Sequence, residues 1–277
     1  TSGGIPTTWG AAPFKGRCFD FDATAILKLE AAGAVLCAKL AMVELAGGMG
    51  YRQPNAAFTG PGVNPWNRGA WSGGSSSGSG SAVAAGLVPF AIGSETWGSI
   101  LSPAGNCGLA GLRPTYGRVS RHGAMALCWT LDKLGPLALT ADDCGLVLEA
   151  LAGRDAADPT TVDRPYRYGA GDPAGRRFRF GVPRGITDGC EDAVRENFAQ
   201  SLDVLRGLGT VEEVTLPDLP YDDITRTILF AEAASAFEDL IESGAIAGLT
   251  APEDRYTAYA RDAILAGDLV ERRVGDR

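Results

Sequence analysis

The sequence predicts an α/β protein with a central mixed β-sheet covered on both faces by α-helices. Segments with helical apolar periodicity alternate with short apolar runs that are typical of buried strands. The 277 residues are enough for one large domain or two small ones. Apolar residues make up 45% and charged residues 21% of the chain. This composition is that of a globular protein and argues against intrinsic disorder.

The first predicted elements are a helix and a short strand. A helix is expected over Ala23–Ala32, with Asp22 as its cap and Gly33 as its stop. The apolar run Ala34–Lys39 then predicts a short buried strand. Residues 47–74 are rich in Gly, Pro and Asn and predict a long loop, which usually has a function when it lies inside a compact domain.

The next segment combines small residues with a second apolar run. Ser79–Leu87 predicts a tightly packed helix, Val88–Ile92 a strand and Gly93–Ser102 a turn. A helix over Thr140–Leu151 is indicated by Thr140 and Asp143 in capping-box positions. Residues 154–175 predict a surface loop. The remaining predicted elements are a strand at Phe178–Val182, a helix at Asp188–Leu208, a strand at Val211–Leu216 and helix over most of Tyr221–Val274.

Charge and residue counts exclude several classes of function. A net charge of −8 and a pI near 4.8 disfavour sequence-blind nucleic-acid binding. His122 is the only histidine, so a zinc site built on several histidines is impossible. None of the six cysteines forms a C-x-x-C pair, and scattered thiols indicate a reducing compartment. No apolar run reaches 18 residues and no leader is visible. We therefore expect a cytoplasmic protein with no membrane contact, no metal and no cofactor.

Glycine is the compositional outlier, and residues 73–81 read GGSSSGSGS. A flexible linker is one interpretation, but the buried-type sequence AVAAGLVPFAIG follows at once. A phosphate loop is a second, although the G-x-G-x-x-G and G-K-[ST] fingerprints are absent. A third is a G-x-S-x-G nucleophile elbow with Ser76 as nucleophile. That motif needs a later acid and then a histidine, and no Asp lies between Ser76 and His122.

A fourth interpretation rests on the order of four strings within residues 62–120. They are GGSSSGSGS, GSETWGSI, PAGNCG and GLRPTYGRVS. In this order and spacing they closely resemble the amidase signature family, and the NPWN string and the segments DATAILKLEAAGAVLCAKLAMVELA and LDKLGPLALTADDCGLVLEALAG agree with it. The resemblance runs from Gly4 to about Arg154. It implies the amidase-signature fold and hydrolysis of an amide through a serine acyl-enzyme.

The resemblance implies a role for two serines and one turn. The family uses a Ser–cis-Ser–Lys triad. Ser75 takes the position of the bridging cis-serine and Ser99 that of the nucleophile. The family's oxyanion hole consists of backbone N–H groups in the turn before the nucleophile, which corresponds to Thr96, Trp97, Gly98 and Ser99. A serine hydroxyl is a weak nucleophile that needs a base, and a lysine whose pKa is lowered by burial can serve. We expect the two hydroxyls to lie within hydrogen-bond reach of each other.

The family's lysine has no counterpart among the lysines of this chain. Gly4–Thr8 matches an element that follows the lysine in the family, which places the triad lysine just before Thr1. Lys39 is the strongest alternative base, but it aligns with a structural position of the family. We therefore expect residues 1–277 to be one amidase-signature domain, incomplete at both ends, with a signature core at about 62–120 and little activity by itself.

Two residues bear on the substrate. Trp97 stands where many members have glycine, and Leu101 stands where members acting on carboxylate-bearing substrates often have arginine. Without that bidentate partner, a neutral carboxamide is expected. Two alternatives stay open: the glutaminase-type A subunit of a glutamyl-tRNA(Gln) or aspartyl-tRNA(Asn) amidotransferase, and a non-catalytic binding domain. The expected partner is a small-molecule amide, with a homodimer as an additional expectation.

Overall fold

The computed structural model describes residues 1–47, 57–164, 166–169, 175 and 177–249. Contacts divide the chain into two compact units, one formed by residues 1–168 with 224–277 and the other by residues 169–223. The assignment of residues 1–277 to one domain stays a prediction. None of the helices in the described part of the chain has the length and apolar character needed to cross a bilayer.

A three-stranded antiparallel sheet lies at the centre of the first unit. Its strands are β1 (Phe90–Glu95), β2 (Ala110–Gly111) and β3 (Lys133–Ala138), in the order β1-β3-β2. The ladder between β1 and β3 runs from Phe90 opposite Ala138 to Glu95 opposite Lys133. Glu95 is therefore the last paired residue of β1, and the chain leaves the sheet directly after it.

Helices pack on both faces of this sheet. The bounds are Thr24–Ala31 for α1, Ser77–Ala84 for α2, Leu101–Cys107 for α3 and Ala141–Leu151 for α4. On one face, Ile100 and Ala104 of the α3 region bury Leu137 of β3. On the other face, side chains of α1 and α4 form one cluster with Leu134 of β3, and Phe90 and Ile92 of β1 pack against it. The face a residue occupies alternates along each strand, as a pleated sheet requires.

The second unit is a βαβ arrangement. Strands β4 (Phe178–Pro183) and β5 (Gly209–Val214) pair in parallel, with α5 (Asp192–Leu208) between them in the chain. The helices that follow are α6 (Tyr221–Ala236) and α7 (Glu238–Glu242). Short 3₁₀ helices cover Ala12–Phe14, Glu44–Ala46 and Ala245–Gly248. The predicted α/β class is confirmed, and among the described residues the antiparallel and parallel pairings lie in two separate sheets.

The predicted helices at 23–32 and 140–151 are confirmed as α1 and α4, and Thr140 caps α4 by accepting a hydrogen bond from the N–H of Asp143. The predicted cap of α1 is wrong. Asp22 instead accepts a hydrogen bond from the N–H of Gly3, at 2.7 Å, which joins the N-terminal loop to the segment before α1.

The strand predicted at 34–39 is also wrong. These residues form no regular secondary structure and pair with no described strand, and the side chain of Val35 is 81% exposed. An apolar run that lacks a ladder partner cannot satisfy its backbone groups as a strand would.

The boundaries of the predicted turn at 93–102 differ from those in the structure. Strand β1 continues to Glu95, three residues into the predicted turn, and α3 begins at Leu101, before the predicted end of that turn. The sequence patterns indicate neither α3 nor β3.

The loop predicted at 47–74 is confirmed from residue 57 onward, while residues 48–56 lie outside the described part of the chain. The helix predicted over 221–274 is α6 and α7 up to residue 242, and residues 250–274 likewise lie outside.

Replacement of Gly93 by alanine tests how tightly α2 packs on β1. A Cβ at Gly93 would lie 2.8 Å from the Ser76 hydroxyl oxygen and 2.9 Å from the Leu137 side chain. We expect Gly93→Ala to destabilise the fold by about 1–3 kcal/mol, as overpacking of a core usually does. The measurement is the melting temperature of the full-length protein.

The matched control is Gly105→Ala in α3, where a Cβ would meet nothing within 4 Å. We expect this variant to be neutral or slightly stabilising, because alanine has the higher helix propensity. Equal melting temperatures for the two variants would contradict the packing argument.

Candidate active site

The serine- and glycine-rich segment forms the buried start of α2. Residues Ser77–Gly80 are buried, so the segment is not a flexible linker. The Ser76 hydroxyl bonds both the N–H and the carbonyl of Ser94 on β1, each at 3.2 Å. Further along α2, the Ser79 hydroxyl donates to the carbonyl of Ile92 at 2.9 Å. These serines therefore attach the helix to the sheet.

Glycines let the neighbouring backbones come this close. A Cβ at Gly78 would lie 2.4 Å from the backbone nitrogen of Ala41, a distance that no side chain can accept. The N–H of Gly78 donates to the carbonyl of Ala41 at 2.8 Å. One turn of α2 is therefore held between the segment around Ala41 and strand β1.

Ser75 lies immediately before this helix. The peptide bond between Gly74 and Ser75 is cis, and Ser75 is only 2% exposed. Its carbonyl accepts a hydrogen bond from the N–H of Val43 at 3.0 Å. Its hydroxyl, in contrast, has no hydrogen-bond partner in the described part of the chain. The backbone of Ser75 is thus fixed while its hydroxyl remains open to an additional group.

Ser99 lies in the turn between β1 and α3. The turn needs glycine at Gly98, because its φ of +100° is strained for any other residue. Ser99 is 2% exposed, and its carbonyl accepts a hydrogen bond from the N–H of Ser76 at 3.2 Å. The segments that carry Ser75 and Ser99 are therefore adjacent. The hydroxyl of Ser75 has no hydrogen-bond partner in the described residues, and the expectation that the two hydroxyls lie within hydrogen-bond reach stays a prediction.

The carboxylate of Glu95 anchors the turn at its end. Glu95 is fully buried, and its Oε2 accepts hydrogen bonds from the N–H groups of Ile100 and Leu101 at 2.7 and 2.9 Å. Its Oε1 forms an ion pair with Arg113 at 2.9 Å. A carboxylate in this position satisfies donors at the start of α3 that have no partner within the helix. It thereby fixes the residues that directly follow Ser99.

Thr96, the first residue of the turn, is held by two side chains. Its hydroxyl donates to Oδ1 of Asp132 at 2.5 Å, and its carbonyl accepts from Nζ of Lys133 at 3.1 Å. Oδ2 of Asp132 also accepts hydrogen bonds from the N–H groups of Leu127 and Cys128. Burial raises the pKa of Asp132, while the hydrogen bonds from Thr96 and from these N–H groups oppose the rise.

The two predicted substrate residues differ in their surroundings. Trp97 is half-buried and packs against a cluster that includes Leu45, Ala46 and Leu127, whereas Leu101 is 42% exposed. A cavity of about 220 Å³ lies beside the turn and is lined by residues that include Thr96, Asp132, Met125, Leu127, Trp129 and Arg121. Neither Ser75 nor Ser99 lines it, so this cavity adjoins the start of the turn without reaching the two serines.

Three of the four lysines and the histidine have other partners. Lys39 donates to the hydroxyl of Thr7, and burial lowers its pKa. Lys28 donates to three carbonyls at the end of α4, and Lys133 to that of Thr96. His122 lies 3.5 Å from the Thr24 hydroxyl, and its ring packs on a phenylalanine. None of these groups bonds the Ser75 hydroxyl.

Sequence reasoning missed the residues that hold the turn: Glu95, Arg113, Asp132 and Lys133. Glu95 stands inside the motif string GSETWGSI, four residues before the predicted nucleophile. A usable signal was a carboxylate that ends an apolar strand, since a buried charge of this kind needs partners. Asp132 and Lys133 lie at the start of an unpredicted strand, so no signal of comparable strength pointed to them. In the described residues, no cluster of His, Cys, Asp or Glu is placed to hold a metal ion.

Comparison with known proteins identifies the family. The profile of the Amidase family matches residues 1–274. The chain belongs to the amidase family. It is 44% identical over 226 residues to the A subunit of glutamyl-tRNA(Gln) amidotransferase from Anaeromyxobacter dehalogenans, and the match covers 79% of this chain and 44% of that protein. The chain thus spans less than half the length of this curated relative.

Two solved structures share the fold. The A subunit of glutamyl-tRNA(Gln) amidotransferase from Thermotoga maritima aligns with a TM-score of 0.79 at 34% identity, over 99% of this chain and 62% of that one. Peptide amidase from Stenotrophomonas maltophilia aligns with a TM-score of 0.78 at 31% identity, over 96% of this chain and 58% of that one. These likenesses confirm the family resemblance and the amidase-signature fold that the motifs indicate.

Replacement of Glu95 by glutamine tests the anchor at the start of α3. The amide keeps the shape of the side chain but cannot both accept the two N–H groups and pair with Arg113. We expect a loss of about 1.5–3 kcal/mol, the usual value of hydrogen bonds to a charged group. Thermal unfolding of the full-length protein measures it.

Glu213→Gln is the control, because its ion pair with Arg184 at 2.7 Å lies at the surface, with 72% of the arginine and 58% of the glutamate side chain exposed. An exposed pair contributes about 0–1 kcal/mol. If both substitutions lower the melting temperature equally, the anchor is not the reason for the effect in Glu95→Gln.

Proposed function

We propose that the protein is a serine amidase that hydrolyses a carboxamide C–N bond through an acyl-enzyme on Ser99. The observation that carries the proposal is the contact between the segments of Ser75 and Ser99, in which the N–H of Ser76 donates to the carbonyl of Ser99. The unpaired, buried hydroxyl of Ser75 supports it, as does the membership of the chain in the amidase family.

The proposed reaction begins when the Ser99 oxygen attacks the amide carbon while its proton passes to the Ser75 hydroxyl. The carbonyl oxygen becomes an oxyanion, which the backbone N–H groups of the turn Thr96–Ser99 stabilise; each such donor is worth about 3–4 kcal/mol. The intermediate then collapses, the C–N bond breaks and the nitrogen leaves with a proton. Water adds to the resulting ester, and its hydrolysis frees the acid and restores Ser99.

The base in this proposal is a lysine other than the four in the chain. Lys28, Lys39 and Lys133 each donate to another partner, and the Ser75 hydroxyl is the group that such a lysine would bond. Ser75 then relays the proton between Ser99 and that base. Because the chain covers only 44% of its amidotransferase relative, the full-length protein is the form to test.

Trp97 and Leu101 support a neutral carboxamide as the substrate. Leu101 is 42% exposed next to the nucleophile and offers no charge to a carboxylate, and the half-buried Trp97 adds an apolar surface. The six free cysteines and the net charge of −8 support a cytoplasmic location and a small-molecule partner instead of nucleic acid. A homodimer is part of the same proposal.

The second candidate is the glutaminase-type component of a tRNA-dependent amidotransferase, which would release ammonia from glutamine for its partner proteins. It is favoured by the 44% identity to a protein named as the A subunit of such an enzyme. Leu101 argues against it. A requirement for partner subunits and ATP would distinguish this candidate from a self-sufficient amidase.

Substitution of the serines tests the proposed roles in the full-length protein. We expect Ser99→Ala to abolish labelling by a fluorophosphonate, because the attacking oxygen is gone. Ser75→Ala is expected to slow acylation by about 10²-fold or more, as loss of general acid–base transfer does. Mass spectrometry of the labelled protein measures both effects.

Ser76→Ala is the matched control for these variants, since the Ser76 hydroxyl is committed to Ser94 on β1. We expect it to be labelled on Ser99. Full labelling of Ser99→Ala, or label attached to Ser76 in the unmodified protein, would refute the assignment of the nucleophile.

Substitution of Leu101, the residue after the GSI string, tests the substrate class. We expect the unmodified protein to show a higher kcat/KM for a neutral aromatic amide than for glutamine. Leu101→Arg is expected to shift this ratio toward glutamine by about tenfold, because it adds a bidentate partner for the carboxylate. Steady-state kinetics with both amides measure the ratio, and a preference for glutamine in the unmodified protein would contradict the proposal.

A further inference from the structure

Two consecutive residues at the start of β3 hold Thr96 from both sides. Asp132 accepts a hydrogen bond from the Thr96 hydroxyl at 2.5 Å, and Lys133 donates one to the Thr96 carbonyl at 3.1 Å. Backbone pairing of β1 with β3 ends at Glu95 opposite Lys133. The two side chains thus continue the connection between the strands for one residue beyond the backbone ladder.

The carbonyl of Thr96 and the N–H of Trp97 belong to the same peptide unit. In a trans peptide these two groups point in opposite directions across a rigid plane. A donor that fixes the carbonyl therefore also fixes the direction of the N–H. A cationic donor in addition polarises the peptide, which strengthens the N–H as a donor, as in any chain of hydrogen bonds.

The surroundings of Lys133 favour such a role. Burial, followed by the nearby charge of Arg113, lowers the pKa of Lys133, and the carboxylates of Glu95 and Asp132 oppose this shift without reversing it. Lys133 is half-buried, so the electrostatic attraction between its ammonium and the Thr96 carbonyl is stronger than the same contact would be in water.

We propose that Lys133 is a positioning residue of the oxyanion turn, which acts by fixing and polarising the Thr96–Trp97 peptide. The inference rests on the proposed function, because the backbone N–H groups of that turn are the proposed donors to the oxyanion. It assigns Lys133 a role other than that of the base, and it is the N–H of Trp97 that would bond the substrate oxygen.

Lys28 offers a matched comparison within the same chain. Its ammonium also donates to backbone carbonyls, those of Leu151, Ala152 and Gly153, and burial also lowers its pKa. These carbonyls end α4. Lys28 therefore serves as the control: it is a lysine that binds backbone carbonyls for structural reasons, away from the residues of the turn.

The first measurement compares Lys133→Met, Lys133→Arg and Lys28→Met in the full-length protein. We expect Lys133→Met to lower kcat by about tenfold with KM changed less than about twofold, a smaller loss than removal of a direct oxyanion donor causes. Lys133→Arg should recover most of kcat, because its guanidinium can still donate to the carbonyl. Lys28→Met should lower the melting temperature and leave kcat unchanged.

The second measurement follows the Trp97 amide itself by NMR with ¹⁵N-labelled tryptophan. The chain contains five tryptophans, and Trp97→Phe identifies the resonance. We expect Lys133→Met to shift the Trp97 amide signal more than that of any other tryptophan, and Lys28→Met to leave it in place. This readout needs no turnover, so it tests the hold on the peptide even if the protein hydrolyses no amide and the proposed function fails.

The inference is overturned if Lys133→Met leaves kcat unchanged in an active enzyme. It is equally overturned if Lys28→Met lowers kcat by the same factor, since the loss would then reflect general destabilisation. An unshifted Trp97 amide in Lys133→Met overturns it in either case.

Discussion

The antiparallel ladder between β1 and β3 is the constraint on which the candidate site depends. Its register pairs Glu95 with Lys133 and ends there, so both residues lie where the chain turns toward Ser99. Glu95 then holds the start of α3 and Lys133 the carbonyl of Thr96. A slip of one residue would send every side chain of β1 to the opposite face of the sheet. The buried carboxylate of Glu95 would then lie among the apolar side chains of α1 and α4.

Small residues are the second requirement, because the turn and α2 must approach the same strand. Gly93 leaves room for the Ser76 hydroxyl, and Gly78 for the backbone at Ala41. The hydroxyls of Ser76 and Ser79 then connect α2 to β1 through hydrogen bonds where other helices use apolar contacts. The consequence is a stiff site, since backbone hydrogen bonds fix α2 on two sides and allow little of the motion that a Gly/Ser linker would have.

The sequence predicted the elements whose signals are local. Thr140 caps α4 as its motif indicates, and the serine-glycine string led to the candidate site. The strand over residues 34–39 failed because periodicity reports an apolar run but does not supply a ladder partner. Strand β3 went unpredicted because its apolar residues flank a proline, Pro136, which propensity places outside strands. The roles of Asp132 and Lys133 depend on pairing with β1, which is tertiary information.

The hydroxyl of Ser75 gives the strongest reason to locate function in this segment. A buried hydroxyl without a partner costs about 1–3 kcal/mol, and four serines that follow avoid that cost. Ser76, Ser77, Ser79 and Ser81 each donate to a backbone carbonyl. Ser75 is as buried as Ser77, its backbone is fixed by Val43, and yet its hydroxyl is unpaired in the described residues. Sites where a fold breaks its own rules are expected to be functional. The segment satisfies its structural serines and leaves one hydroxyl unpaired beside the segment of Ser99, which supports the proposed role of Ser75.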